Sequence, residues 1–203
     1  IVLFGVGNRA PIFLVFLVTH AVMIVGAIGM HIMDFGALTT DVTTHMAADV
    51  RNPNVGLIFI IGLFLQAYSL GAGTYTGIEA VSNSMSVMRE PRVATGQRTM
   101  LYMAISLAIT AGGLMLCYLL FELNLKSTGS AFGVELAADA RSLAGLRRQT
   151  GQTMNDLLAQ WFSFSILPAP FNQIFRWITV LSEALLLIVA AQAGFMGGPK
   201  SLA

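Results

Sequence analysis

Hydrophobic positions in this chain run in long unbroken stretches rather than in stripes. Four stretches stand out: Pro11 to about Met33, about Val55 to Met88, about Thr99 to Phe121, and about Gln173 to Met196. An α-helix needs roughly 20 apolar residues to cross a bilayer. A helix on a soluble bundle pairs an apolar face with a polar one, whereas these segments are apolar all round. The pattern predicts an all-α, polytopic transmembrane protein with spans at about 11–33, 55–88, 99–121 and 173–196. Pro11 suits the first turn of its helix. The second stretch is too long for one simple span. Its middle, Gly71-Ala72-Gly73-Thr74-Tyr75-Thr76-Gly77, is rich in Gly and hydroxyl residues, so a helix broken near 71–77 is expected there.

Polar connections separate the spans. Residues 34–54 hold Asp34, Asp41, Asp49, Arg51 and the turn signal Asn52-Pro53-Asn54. Residues 89–98 form a short basic connection. Residues 122–172 form a long one, with a surface helix expected near Val134 to Trp161 and a closure at Pro168-Ala169-Pro170. Trp161 and Trp177 flank that closure, as interfacial aromatics do. Cytoplasmic loops carry the excess of Lys and Arg. Arg9, Arg89, Arg92, Arg98 and Lys200 fall on one side, against Arg51 alone in the opposite short loop; the long loop on that opposite side adds Lys126, Arg141, Arg147, Arg148 and Arg176, but it is near the length at which the rule loses force. The charge pattern therefore predicts an inner loop at 89–98 and outer loops at 34–54 and 122–172.

Composition agrees. Of 203 residues, 56% are hydrophobic and 10% charged, with a mean hydropathy of +0.75. Soluble domains carry about 25% charged residues, and lipid is the solvent that tolerates an apolar exterior. A net charge of +1 gives no general attraction for nucleic acid. The single Cys117 sits in an apolar run and reads as a small core residue. The chain starts Ile1-Val2-Leu3-Phe4 and stops at Gly198-Pro199-Lys200-Ser201-Leu202-Ala203, and both ends are expected to be truncations of a longer protein.

Candidate chemistry concentrates in the second span. Each Gly costs a helix about 1 kcal/mol relative to Ala. In hydrocarbon the freed backbone groups must find partners, so a break persists only beside protein or a water-filled cavity. Transporters use such breaks to hold substrates and ions. Close helix packing is the other reading of the same glycines. Glu79 lies two residues beyond Gly77, and Glu183 lies about ten residues into the fourth span. An acid at membrane depth marks an ion or proton pathway or serves as a protonated hydrogen-bond donor between helices. His20, midway along the first span, is a proton-exchange candidate or a neutral imidazole bonded to a neighbouring helix. His31 and His45 lack partners at metal spacing, so no metal is expected. No cofactor motif and no catalytic constellation is apparent, so the chain does not read as an enzyme.

Thr74-Tyr75-Thr76-Gly77-Ile78-Glu79-Ala80-Val81-Ser82-Asn83, followed by Arg89-Glu90-Pro91 and a basic turn into Arg98-Thr99, resembles the sixth helix and following cytoplasmic loop of the amino acid–polyamine–organocation (APC) superfamily. The string Gly77 to Asn83 is similar to the branch that contains KimA-type potassium–proton symporters and many amino acid permeases. Residues Ala190 to Pro199 resemble the end of helix eight in that branch, and Gly5-Val6 resembles the start of helix five, with Asn8-Arg9 where an acid usually stands. The resemblance takes in the whole chain as helices five to eight. It implies part of a leucine-transporter-type fold of two inverted five-helix repeats. It also implies Gly77 as the unwound hinge, Thr76 and Glu79 at an ion site, and Thr74 and Tyr75 lining a substrate cavity. Some amino acid permeases place a Lys in helix five, and none occurs in the first span here.

The expected function is secondary active transport of an amino acid or a small cation such as potassium across the cytoplasmic (inner) membrane, coupled to protons or another ion. Expected partners are the lipid bilayer, the solute and the coupling ion. Glu183 and His20 are the further coupling candidates. A membrane-embedded enzyme would need a catalytic cluster on one face. A non-transporting scaffold or receptor would need neither a glycine-broken helix nor a buried acid.

Overall fold

A computed structural model describes residues 10–53, 55–71, 81–82, 85 and 88–201, and they are mostly helical. The α-helices are α1 (Ala10–Met30), α2 (Phe35–Arg51), α3 (Gly56–Gly71), α4 (Arg92–Thr128), α5 (Leu143–Thr150), α6 (Met154–Ile166) and α7 (Phe171–Ser201). Strands β1 (Ser130–Ala131) and β2 (Val134–Glu135) make a short antiparallel hairpin, pairing Ser130 with Glu135 and Ala131 with Val134. The all-α expectation thus holds apart from this hairpin.

Among the described residues, three helical segments are long and apolar enough to cross a membrane: Pro11–Met30, Arg92–Thr128 and Phe171–Ala191. They overlap the first, third and fourth apolar stretches. The helices over Ile32–Arg51 and Gly56–Ser69 are bent apart by 117° and make a fourth candidate only if taken together. For the second expected span, α3 accounts for its first half, as far as the description reaches, at Gly71. The expected break, with Gly73, Thr74, Tyr75, Thr76, Gly77 and Glu79, lies outside the described residues.

The described residues divide into two compact units, one within Ile1–Asp34 and Thr110–Ala203, the other within Phe35–Ile109. In the second unit, the segment expected as an outer loop at 34–54 is largely helix α2. Its threonines turn their hydroxyls onto their own backbone: Thr39 and Thr40 donate to the Gly36 carbonyl, and Thr43 donates to that of Thr39. Such bonds satisfy the hydroxyls within the helix itself. Most of the expected inner loop at 89–98 likewise belongs to the first turns of α4.

In the first unit, α1, α6 and α7 pack together with the C-terminal part of α4. The core includes Met23, Ala27, Leu120, Phe121, Leu157 and Leu158, each at most 1% exposed. Cys117 is fully buried there, as a small core residue should be. Gly26 admits α6: a Cβ at that position would stand 2.5 Å from the Phe162 ring. That ring also lies 5.6 Å from the ring of Phe175 on α7. With His20 of α1 meeting Glu183 of α7 further along, the two helices run antiparallel.

The long connection at 122–172 contains more structure than its sequence suggests. The single surface helix expected near Val134 to Trp161 is instead β2, a 3-10 turn at Ala138–Ala140, α5 and α6. Two capping hydroxyls make the division. Ser142 accepts from the Gly145 amide and starts α5, and Thr153 accepts from the Asp156 amide and starts α6. Between them α5 stops at Gly151, in the left-handed conformation at φ 68°. Trp161, expected at an interface, is 6% exposed and stacks on Phe121 at 4.9 Å, while Trp177 is 63% exposed.

Candidate functional site

The inward face of α1 follows helical spacing. Phe16, Thr19, His20, Met23 and Ala27 lie on one side, and the last four are buried. On α7 the matching face carries Asn172, Thr179 and Ser182, all buried, and then Glu183. These are narrow polar stripes on otherwise apolar helices.

Most of the stripe is satisfied within its own helix. Thr19 Oγ1 donates toward the Val15 carbonyl at 3.0 Å, Thr179 Oγ1 donates to the Phe175 carbonyl at 2.9 Å, and Ser182 Oγ donates to the Thr179 carbonyl at 2.7 Å. His20 and Glu183 bond across the helices instead. His20 Nε2 lies 3.0 Å from Glu183 Oε1, with side chains 2% and 17% exposed. The other ring nitrogen, Nδ1, lies 2.8 Å from the Phe16 carbonyl oxygen. The Phe16 ring covers the imidazole at 4.0 Å between centroids. Beside the pair, an open apolar cleft of about 230 Å³ follows the α1–α7 seam between Pro11, Ile12 and Val15 on one side and Ile178, Leu181, Ser182 and Leu185 on the other.

A second polar cluster fixes α6 against α7. Arg176 grips Asp156 with two bonds, Nε to Oδ1 at 2.5 Å and an Nη to Oδ2 at 2.8 Å, and both side chains are mostly buried. Next to it, Tyr118 of α4 donates to Asn155 Oδ1. At the far end of α1, His31 pairs with Asp34 at 2.7 Å and stacks on Trp161 at 5.0 Å. The Arg–Asp fork is a structural clamp: each member is satisfied by the other.

The structure therefore joins two residues that the sequence offered separately, His20 and Glu183. Thr74, Tyr75, Thr76, Gly77 and Glu79 lie outside the described residues. Among the described residues no group of three or more His, Cys, Asp or Glu could hold a metal ion. Sequence reasoning missed the Asp156–Arg176 clamp. Its only signal was Arg176 near the start of an apolar span, where a charge calls for a nearby partner. No family model, curated protein or solved structure matches the chain.

Proposed function

We propose that the chain belongs to a secondary active transporter of the APC superfamily, with a leucine-transporter-type fold, that moves an amino acid or a small cation such as potassium across the cytoplasmic membrane with proton coupling. The observation that carries this reading is the buried His20–Glu183 bond between two helices apolar enough to cross a bilayer. Ionisable groups at membrane depth are expensive, and they are found at ion and proton pathways. The glycine-rich, Glu79-bearing stretch after α3 supports the same reading from sequence, with Thr74, Tyr75, Thr76, Gly77 and Glu79 as the solute and ion site. The test is uptake of labelled amino acids and of rubidium by the intact protein in proteoliposomes under an imposed pH gradient. Accumulation driven by the gradient supports the proposal. No uptake of either solute under any gradient rejects it.

A further inference from the structure

We propose that His20 and Glu183 form a one-proton site, and that release of the proton opens the seam between α1 and α7. For its role this rests on the transporter reading, but its test does not. Each imidazole nitrogen faces an oxygen. Nδ1 lies 2.8 Å from the Phe16 carbonyl, which can only accept, so Nδ1 carries a hydrogen. The Thr19 hydroxyl lies 3.4 Å from the same nitrogen but closer, at 3.0 and 3.1 Å, to the Val15 and Phe16 carbonyls.

A neutral ring protonated at Nδ1 has a bare Nε2. That atom stands 3.0 Å from Glu183 Oε1. Two lone-pair atoms hold this distance only with a proton between them. Either the carboxyl donates to Nε2, or Nε2–H of an imidazolium donates to the carboxylate. Both arrangements contain the same single proton, held between Nε2 and Oε1. Once the proton leaves, a carboxylate faces a nitrogen lone pair in a low-dielectric seam. The ring can then keep its Phe16 bond, and the helices part. If it gives up that bond to offer Nε2–H, a bare Nδ1 faces the Phe16 carbonyl.

The surroundings set the direction of opening. On the Gly26 side the ring of Phe162, 3% exposed, fills the space between α1 and α6. On the other side lies the cleft at Pro11, Ile12 and Val15, so the seam opens there. Other ionisable groups on the neighbouring elements of this unit include Cys117, Tyr118, Glu122 and Lys126 on α4, Asp156 on α6 and Arg176 on α7. Tyr118 is within Coulombic range of Glu183. Asp156 and Arg176 are closed on each other, and Tyr118 is bonded to Asn155.

The experiment is ¹⁵N-histidine magnetic resonance on the intact protein in liposomes across pH, with the His20 signal identified by its loss in His20→Asn. It is combined with maleimide labelling of Val15→Cys in a Cys117→Ser background. The proposal expects an Nδ1–H ring throughout, one proton released, and several-fold faster labelling after release. Glu183→Gln should abolish the pH dependence of labelling, because its amide N–H donates permanently to Nε2. Glu183→Asp, which keeps an ionisable group, should retain it. An Nε2–H tautomer in the closed state, or unchanged pH dependence in Glu183→Gln, would overturn the assignment. If Glu183→Gln fails to fold, the tautomer of the unaltered protein decides alone. Failed uptake with an Nδ1–H ring would remove the transporter reading and leave the proton site standing.

Discussion

Removing one side of the His20–Glu183 bond has a size that can be worked out in advance. Glu183→Leu leaves Nε2 without its partner on a side chain only 2% exposed. Hydrogen bonds between membrane helices contribute about 0.6 kcal/mol on average and up to about 1.7 in double-mutant cycles. Breaking a buried ion pair from one side costs about 3–5 kcal/mol. His20→Phe keeps an aromatic ring over Phe16 while deleting both nitrogens. A cycle of His20→Phe, Glu183→Leu and the double variant isolates the pairwise contribution. It can be read by reversible unfolding in bicelles at a pH where the pair holds its proton. The expected coupling is about 1 kcal/mol, roughly a fivefold change in the folding equilibrium. Glu183→Gln should keep most of it, because an amide hydrogen replaces the shared proton. A value above about 3 kcal/mol would put the proton on the ring and make the pair ionic. Coupling indistinguishable from zero, within about 0.3 kcal/mol, would refute the reasoning: the 3.0 Å contact would then contribute nothing to holding α1 on α7.

Gly26→Val should destabilise the protein by about 1–3 kcal/mol, since the buried Phe162 ring has little room to move; Gly29→Ala, with nothing within 4 Å of its new Cβ, should be neutral or mildly stabilising, and thermal unfolding in detergent compares the two. Gly145→Ala would set a Cβ 2.0 Å from the Asp139 carbonyl oxygen, so α5 should lose its seat on the 3-10 turn and limited proteolysis should cut near residues 138–150. Asp156→Ala strands the mostly buried Arg176 charge and should cost about 2–3 kcal/mol, again measured by thermal unfolding. Glu79→Gln should abolish pH-driven accumulation while leaving some solute exchange in proteoliposomes; normal pH dependence there would leave Glu79 as a structural hydrogen-bond donor.

Long apolar stretches made α1, α4 and α7 legible, because a segment hydrophobic all round has few ways to fold in lipid other than as a helix. Their ends were less so: α4 extends to Arg92 and Thr128, well beyond its apolar middle, since charged residues continue a helix once it emerges from an apolar environment. The secondary structure inside the connections was less legible, because polarity alone does not distinguish a loop from a polar helix. Polarity alone marked 34–54 as a loop, although its threonines satisfy their hydroxyls on the α2 backbone. The division at Gly151 between α5 and α6 was written in Ser142 and Thr153 as caps, signals that are plain only once helix ends are sought. His20 and Glu183 were each visible as costly residues. Their pairing was not, because it depends on antiparallel packing between segments 163 residues apart.

The distribution of polarity in the first unit explains why that pair, rather than any other polar group on the seam, is suited to a change of state. The outward faces of the helices are apolar: Leu14 is 61% exposed, Val25 71% and Leu187 70%. Thr19, His20, Thr179 and Ser182 are turned inward. In water such a distribution would be unfavourable; in hydrocarbon it follows from the cost of an unsatisfied polar group. The hydroxyls meet that cost on carbonyls of their own helices, so they make no demand on the distance between α1 and α7. His20 and Glu183 meet it on each other. A hydroxyl that keeps its proton cannot signal anything to the neighbouring helix, whereas a shared proton can be lost. On the proposal made above, the contact of α1 with α7 at this level rests in part on a shared proton, a role that the hydroxyls, bonded within their own helices, cannot fill.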